Sequence, residues 1–208
     1  MCISFSEIDE RSIVIVLKDV YIQSWDMHRD TSFYNSLYSF EIQEYDEEKR
    51  LSKQVIFENM YWDNWLLSIE LFKAFKDNES QELNVDTGSH DNSFGLSVIA
   101  TGFYFKLFFE IGTQVNCYYP FPYGTSFYQD ICPDDLLKIS LEVFRMELIG
   151  LKKCYLEQLD DNITDKVITQ KKLELLESYI AQYANVEAKD FSHPGDIVYF
   201  INQEVKKY

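Results

Sequence analysis

The sequence has few of the small, breaking and basic residues that many functional classes require. It holds 7 glycines and 4 prolines in 208 residues, and it shows no phosphate-binding loop, dinucleotide fingerprint or nucleophile elbow. None of its 4 cysteines forms a C-x-x-C pair or stands beside a histidine at metal-ligand spacing. These absences argue against nucleotide, redox and hydrolase chemistry, so we expect a protein that is not an enzyme and uses no cofactor.

Targeting signals are missing as well. The N-terminal stretch MCISFSEIDER has no basic region followed by an apolar run, and the longest apolar patches are strand-sized. Because the cysteines follow no disulfide pattern, we expect a cytoplasmic protein with reduced thiols.

The net charge is strongly acidic and unevenly distributed. The formal net charge is -16, and residues 1–135 hold 23 acidic and 9 basic residues, whereas residues 136–208 hold 12 and 10. Between Lys76 and Lys138 the only basic residue is Lys106. A field of one sign repels nucleic acid and anionic membranes and attracts basic partners. We therefore expect a basic protein partner, with no direct nucleic-acid contact and no membrane contact.

Hydrophobic periodicity predicts a β-rich first part of the chain. Strands are expected at 12–24, 33–45, 51–57, 94–101, 103–111 and 114–121. Strict alternation places Ile13, Ile15 and Leu17 on one face of the first strand. It places Val20 and Ile22 on the opposite face. The turn signal at 112–113 predicts a hairpin between 103–111 and 114–121, and we expect four phenylalanines in the core: Phe94, Phe103, Phe105 and Phe109.

Helical periodicity interrupts and then follows the strands. An amphipathic helix is predicted at 62–76, and longer helices at 133–158 and about 164–184 precede a short one that begins at 192–194. The two long helices carry apolar stripes at Leu137, Leu141, Phe144, Leu148, Leu151 and Tyr155, and at Val167, Leu173, Leu176, Ile180 and Tyr183.

These elements predict an α+β fold. It consists of an antiparallel β-rich body, either a sheet or a sandwich, with one inserted amphipathic helix and C-terminal helices behind it. The body spans residues 1–132, and the helical part, residues 133–208, packs on it as one compact unit.

Acidic and aromatic residues form the candidate binding site. Tyrosine rings supply rigid contact area, and neighbouring carboxylates pair with lysine or arginine on a partner. The candidate partner-binding residues are Glu79, Glu82, Asp86, Asp91, Tyr118, Tyr119, Tyr123, Tyr128 and Asp130. Histidine beside carboxylates also allows a divalent-metal site at Asp26, His28 and His90, although ordinary polar loops are the simpler explanation of these residues.

The order of elements resembles that of bacterial immunity proteins from polymorphic-toxin and contact-dependent inhibition systems. The resemblance rests on WDNWLLSIELFKAFKDNESQELNV followed by FGLSVIATGFYFKLFFEIG, with the helix at 137–151 behind them. It implies an inhibitor that occludes a basic toxin or nuclease through an acidic, aromatic-rich face.

Three further functions remain open from the sequence. The first is a phage or mobile-element protein that blocks a host effector by mimicking nucleic acid. The second is a small metal-dependent enzyme. The third is an assembly subunit that dimerises through helices 133–184, although the same stripes also fit packing within one chain.

Overall fold

The computed structural model describes residues 2–6, 12–25, 33–63, 66–86, 92–113, 125–160 and 165–191. The strands are β1 (Cys2–Ser6), β2 (Ser12–Trp25), β3 (Phe33–Tyr45), β4 (Leu51–Asp63), β5 (Gln81–Asp86), β6 (Asn92–Ala100), β7 (Phe105–Thr113) and β8 (Thr125–Ile131). The helices are α1 (Leu67–Asp77), α2 (Pro133–Asp160) and α3 (Lys166–Tyr183), with a 3-10 turn at Ala188–Asp190. The predicted α+β class is confirmed.

The strands follow one another as a single antiparallel meander from β1 to β8. The meander divides into two four-stranded halves, because among the described residues β4 and β5 are joined at one pair, Tyr61 and Asp86. We call β1–β4 the first sheet and β5–β8 the second sheet. The outermost strands, β1 and β8, come within 8 Å of each other between Cα atoms, so the meander curls towards closure.

A β-bulge corrects the predicted faces of β2. The pairing register between β2 and β3 shifts between Leu17 and Asp19. The extra residue turns the following side chains over, because strand side chains alternate with a period of two. Val20 and Ile22 are therefore buried on the same side as Ile13 and Leu17, so their predicted placement on the opposite face is wrong.

The first turn of α1 is held by side chains from other elements. Its N-cap residue, Leu66, provides no side-chain hydrogen bond. Instead, the Leu67 amide donates to the Tyr38 hydroxyl at 3.0 Å, and the Ser68 amide donates to Glu147 Oε1 at 3.0 Å. The Tyr38 hydroxyl donates to the same oxygen at 2.8 Å, and the Ser68 hydroxyl donates to Glu147 Oε2. A carboxylate of α2 thus caps α1 across the core, where a helix needs acceptors for its first amides.

An aromatic cluster closes the core at the end of the described chain. Phe191 packs edge-on against Phe72 of α1 and Tyr183 of α3, with centroid distances of 5.3 and 6.1 Å, and lies 5.5 Å from Phe144 of α2. Arg145 of α2 holds the segment after α3 in place, since its guanidinium donates to the carbonyl oxygens of Tyr183 and Val186 at 2.8 and 2.6 Å. The described segment after α3, which ends at Phe191, is therefore part of the same core as the helices.

The helix predictions hold for the long helices and fail in part for the first. Strand β4 continues to Asp63, so the helix predicted to start at 62 begins at Leu67. The periodic aromatic spacing of that stretch misled the prediction because pairing with β3 extends the strand through Trp62. The apolar stripe of α2 is buried as predicted, whereas Val167 of α3 is 72% exposed.

The predicted hairpin between 103–111 and 114–121 is wrong. Residues 105–111 of β7 pair with 131–125 of β8 on one side and with 100–94 of β6 on the other. Both edges of β7 are therefore occupied, and residues 114–121 fall outside the described part of the chain. So does the short helix expected from 192. Among the helices that the structure describes, none combines the length and apolarity that a membrane span needs.

The alternative of a homodimer through helices 133–184 relied on their apolar stripes as the seam, and the structure places these stripes inside one chain. Leu141 and Leu148 of α2 and Leu173 and Leu176 of α3 are buried within one chain and belong to its single core cluster. These stripes pack against each other and against the sheet, so they are not free to form a seam between two chains.

Candidate functional site

The second sheet has one buried and one open face. Val98 and Leu107 oppose each other on β6 and β7, and both are buried in the core. On the opposite face, Ile99 of β6 pairs with Lys106 of β7, which in turn pairs with Asp130 of β8. Tyr128 lies two residues before Asp130 and therefore shares that face. We call the surface formed by Ile99, Phe103, Tyr104, Lys106, Tyr128 and Asp130 the aromatic face.

A tight turn between β6 and β7 presents Phe103 to solvent. The Thr101 amide donates to the Tyr104 carbonyl at 3.0 Å, and the Tyr104 amide donates back to the Thr101 hydroxyl at 3.3 Å. Gly102 has a φ of 90°, a conformation that glycine adopts without strain. Phe103 follows it at the tip of the turn and is 91% exposed. A phenylalanine this exposed contributes almost nothing to folding by burial.

Lys106 and Tyr128 form the charged part of the aromatic face. The Lys106 ammonium lies 4.7 Å from the centroid of the Tyr128 ring, within the range of a cation–π contact. Tyr128 itself is 45% exposed. The lysine therefore covers one part of the ring and leaves the rest accessible. It is also the only basic residue between Lys76 and Lys138 in the sequence.

The described part of the outer face of the first sheet carries a polar network in place of exposed aromatic rings. Glu41 of β3 is almost fully buried there, and it accepts hydrogen bonds from the side-chain amides of Gln43 and of Gln54, the latter at 2.6 Å. Its second oxygen pairs with Lys18 at 2.7 Å. The hydrogen bond from Lys18, followed by that from Gln43, holds the pKa of Glu41 below its usual range. These polar groups satisfy one another, so this part of the first sheet's outer face is a polar network, in contrast to the aromatic face.

The structure locates five of the predicted site residues. Tyr128 and Asp130 lie exposed on β8 and belong to the aromatic face. Glu79 is exposed in the turn after α1, and Glu82 and Asp86 lie on β5, with Asp86 opposite Tyr61. The remaining candidates lie outside the described residues: Asp91, Tyr118, Tyr119, Tyr123, Asp26, His28 and His90. Among the residues that are described, no group of metal-ligating side chains comes together.

Four members of the aromatic face were missed in the sequence. Phe103 was expected in the core, and this expectation is wrong because the strand begins at Phe105 and not at 103. The signal was present in the Thr101–Gly102 pair, which favours a turn directly before Phe103. Ile99, Tyr104 and Lys106 could not be assigned without the register between β6 and β7.

The fold matches several solved structures at low identity. WHY3 from Arabidopsis thaliana matches with 10% identity and a TM-score of 0.42 over 77% of this chain and 94% of its own. PBF-2, described as a plant transcriptional regulator, matches with 8% identity and a TM-score of 0.43 over 79% and 96%. WHY1 from Arabidopsis thaliana matches with 8% identity and a TM-score of 0.39 over 79% and 97%. At these values the likeness concerns the chain path and transfers no residue role.

Neither a family model nor a curated protein matches this sequence. The resemblance to immunity proteins is therefore wrong, since the matching structures are a plant transcriptional regulator and two WHY proteins. The inhibitor function, its basic protein partner, the mimicry of nucleic acid and the bacterial or phage assignment are corrected with it. The exclusion of nucleic acid is wrong too, because it considered only phosphate contacts with basic residues. An exposed aromatic face offers a second mode of contact, through the bases.

Proposed function

We propose that the protein binds single-stranded nucleic acid through the aromatic face of the second sheet. The observation that carries this proposal is the 91% exposure of Phe103 at the turn, together with the exposed rings of Tyr104, its neighbour in the sequence, and of Tyr128 on β8. Unpaired bases stack on exposed aromatic side chains, and a sheet face suits successive stacked bases.

Each residue of the aromatic face has a distinct role in this proposal. Phe103 and Tyr104 offer ring faces at the turn, and Tyr128 offers one on the strand. Lys106 moves from the Tyr128 ring to a phosphate when a base takes its place, because both positions lie within reach of its flexible stem. Ile99 supplies apolar area between the rings.

The acidity of the chain limits this binding to single strands. In a duplex the bases are stacked inside, so the protein would meet mainly phosphates, which a net charge of -16 repels. Single strands expose the faces of their bases, and stacking contributes about 1–3 kcal/mol per base. We therefore expect weak binding that depends on aromatic contacts and is confined to unpaired nucleotides.

The test is fluorescence anisotropy with labelled single-stranded DNA and RNA of mixed sequence and with the matching duplexes. The variants Phe103→Ala and Tyr128→Ala should each weaken single-strand binding by about tenfold, as expected for a lost stacking contact. Ile56→Ala is the matched control, because Ile56 is about as exposed as Tyr128 but lies on β4 of the first sheet. Binding that survives both aromatic substitutions, or that prefers the duplex, would contradict the proposal.

Two expectations from the sequence join this proposal. The protein acts by binding and catalyses no reaction. It works in the cytoplasm, where Cys132 on the surface and Cys154 in the core stay reduced. Both parts are tested separately, by assays for nuclease activity and by localisation of a tagged chain.

A further inference from the structure

Glu147 is a carboxyl group buried at the junction of three elements. It lies on α2 with an exposure of 1%, and its oxygens accept hydrogen bonds from Tyr38 of β3 and Ser68 of α1. No lysine, arginine or histidine among the described residues forms an ion pair with it. A buried carboxylate without a counter-charge favours its neutral form. The hydrogen-bond donors of Tyr38 and Ser68 oppose this preference without cancelling it.

The surrounding groups leave Glu147 as the one that changes charge between about pH 5 and about pH 7. On α3, which also packs against α2, burial lowers the pKa of Lys172 to about 8, so its charge changes above that range. Burial raises the pKa of the Tyr38 phenol well above its usual range, so Tyr38 stays protonated. On α1, Glu70 pairs with Lys73 at 3.0 Å, and on α2 the neighbouring Arg145 donates to backbone carbonyls. The strand packed against α2, β2, contributes aliphatic side chains to this part of the core. Desolvation raises the pKa of Glu147 to about 7, with the hydrogen bonds from Ser68 as the largest opposing influence.

Both protonation states fit the same geometry. The carboxylate accepts from the Ser68 hydroxyl at Oε2, and the neutral acid can donate from that oxygen to the same hydroxyl, which acts as donor or acceptor. Oε1 continues to accept from Tyr38 and from the Ser68 amide in either state. Protonation therefore keeps α1 capped while removing a buried charge.

We propose that protonation of Glu147 controls the local stability of α1. The neutral carboxyl group holds the first turn of α1 in place, and the ionised group lets α1 open more readily. Helix α1 lies between β4 and β5, the strands through which the two sheets meet at one described pair. Loosening α1 therefore also loosens the connection between the sheets. This inference does not depend on the proposed nucleic-acid function.

The test is amide hydrogen exchange of the intact chain at a series of pH values, expressed as protection factors. In the wild type, α1 amides should lose protection by up to about tenfold per pH unit as the pH rises from about 5 to about 7, and then level off. In Glu147→Gln, which resembles the neutral acid, this loss should disappear. The free energy of global unfolding, measured by denaturant titration at the same pH values, serves as the reference against which local opening of α1 is recognised.

Ser68→Ala separates a titrating role from a merely structural one. The Ser68 hydroxyl favours the ionised form of Glu147, so its removal should raise the pKa of that group further. The pH at which the α1 protection factors stop falling should therefore be higher. The proposal is overturned if α1 shows the same pH dependence in the wild type and Glu147→Gln. It is also overturned if the α1 amides exchange only with the free energy of global unfolding, since the whole molecule would then open, or if Ser68→Ala leaves the midpoint unchanged.

Discussion

Gly150 of α2 lies directly against the backbone of Val20 in β2. A Cβ atom at position 150 would stand 2.4 Å from the Val20 carbonyl oxygen and 2.9 Å from its carbonyl carbon. Both distances are too short for non-bonded atoms, and a strand backbone cannot move aside as a side chain can. The absence of a side chain at Gly150 therefore lets the longest helix approach the sheet.

Gly150→Ala should destabilise the protein, although alanine favours helices by about 1 kcal/mol over glycine. The steric conflict with Val20 should outweigh that gain and lower the free energy of unfolding by about 1–3 kcal/mol, as overpacking does elsewhere. Urea unfolding monitored by circular dichroism measures the change. Ile149→Ala, at the exposed neighbouring position, should have a much smaller effect, and a more stable Gly150→Ala protein would show that α2 does not lie this close to β2.

Lys172→Met should stabilise the protein at neutral pH. Lys172 lies in the core with 3% exposure, and burial lowers its pKa to about 8. The folded state therefore binds its proton less tightly than the unfolded state, so the stability deficit is full below pH 8 and vanishes as the pH rises towards 10.5. The gain on substitution should be about 1–3 kcal/mol at about pH 7 and should disappear near about pH 10.5.

The control for this prediction lies one position away. Lys171 is exposed and pairs with Glu174 at 3.1 Å, so Lys171→Met should change the free energy of unfolding little at any pH. Chemical denaturation of both variants at several pH values provides the comparison. Equal effects of the two substitutions would mean that Lys172 is not desolvated in the folded protein.

Glu147 should give the wild-type protein an unusual pH dependence. Its folded pKa of about 7 lies above its ordinary value of 4.5, so its contribution to stability is full below pH 4.5 and is lost as the pH rises to about 7. The free energy of unfolding should fall by up to about 3 kcal/mol over this range. Denaturant titrations between about pH 5 and about pH 8 should show the slope in the wild type and a flatter one in Glu147→Gln. An unchanged slope in Glu147→Gln would rule out this assignment.

The long helices could be predicted from the sequence because the helical spacing of their apolar residues extends over many turns. Leu141, Phe144 and Leu148 repeat at helical spacing, and all three are buried. The faces of the strands were harder to predict, since one bulge after Leu17 places Val20 and Ile22 on the same buried side as Leu17, where strict alternation predicts the opposite side. A bulge depends on how two strands pair, and periodicity within one strand does not record it.

The candidate site could be predicted only in part, because its composition also depends on how the strands pair. Tyr128 and Asp130 stand out as an aromatic and an acidic residue in one short run, and the structure leaves both exposed. Lys106 was visible as an isolated base, but its position over the Tyr128 ring follows from the register between β7 and β8. Phe103 was misplaced because a shift in the start of β7 from 103 to Phe105 moves it from a strand to a turn tip.

Salt should affect nucleic-acid binding in an unusual direction. Proteins that rely on phosphate contacts lose affinity as salt rises, because counterions are released on binding. This chain makes at most one such contact on the aromatic face, through Lys106, and its net charge of -16 repels the strand. Screening of this repulsion should hold the affinity constant or raise it between about 50 mM and about 200 mM salt. A steep loss over that range would indicate binding through basic residues elsewhere.

The central claim is that bases stack on the aromatic face, and photochemical cross-linking tests it most directly. A single-stranded oligonucleotide that carries 5-iodouracil cross-links on irradiation to aromatic side chains in contact with the base. Peptide mapping by mass spectrometry should then place the cross-links at Phe103, Tyr104 or Tyr128. Cross-links that map to other parts of the chain, or none at all under conditions where binding is measured, would contradict the account.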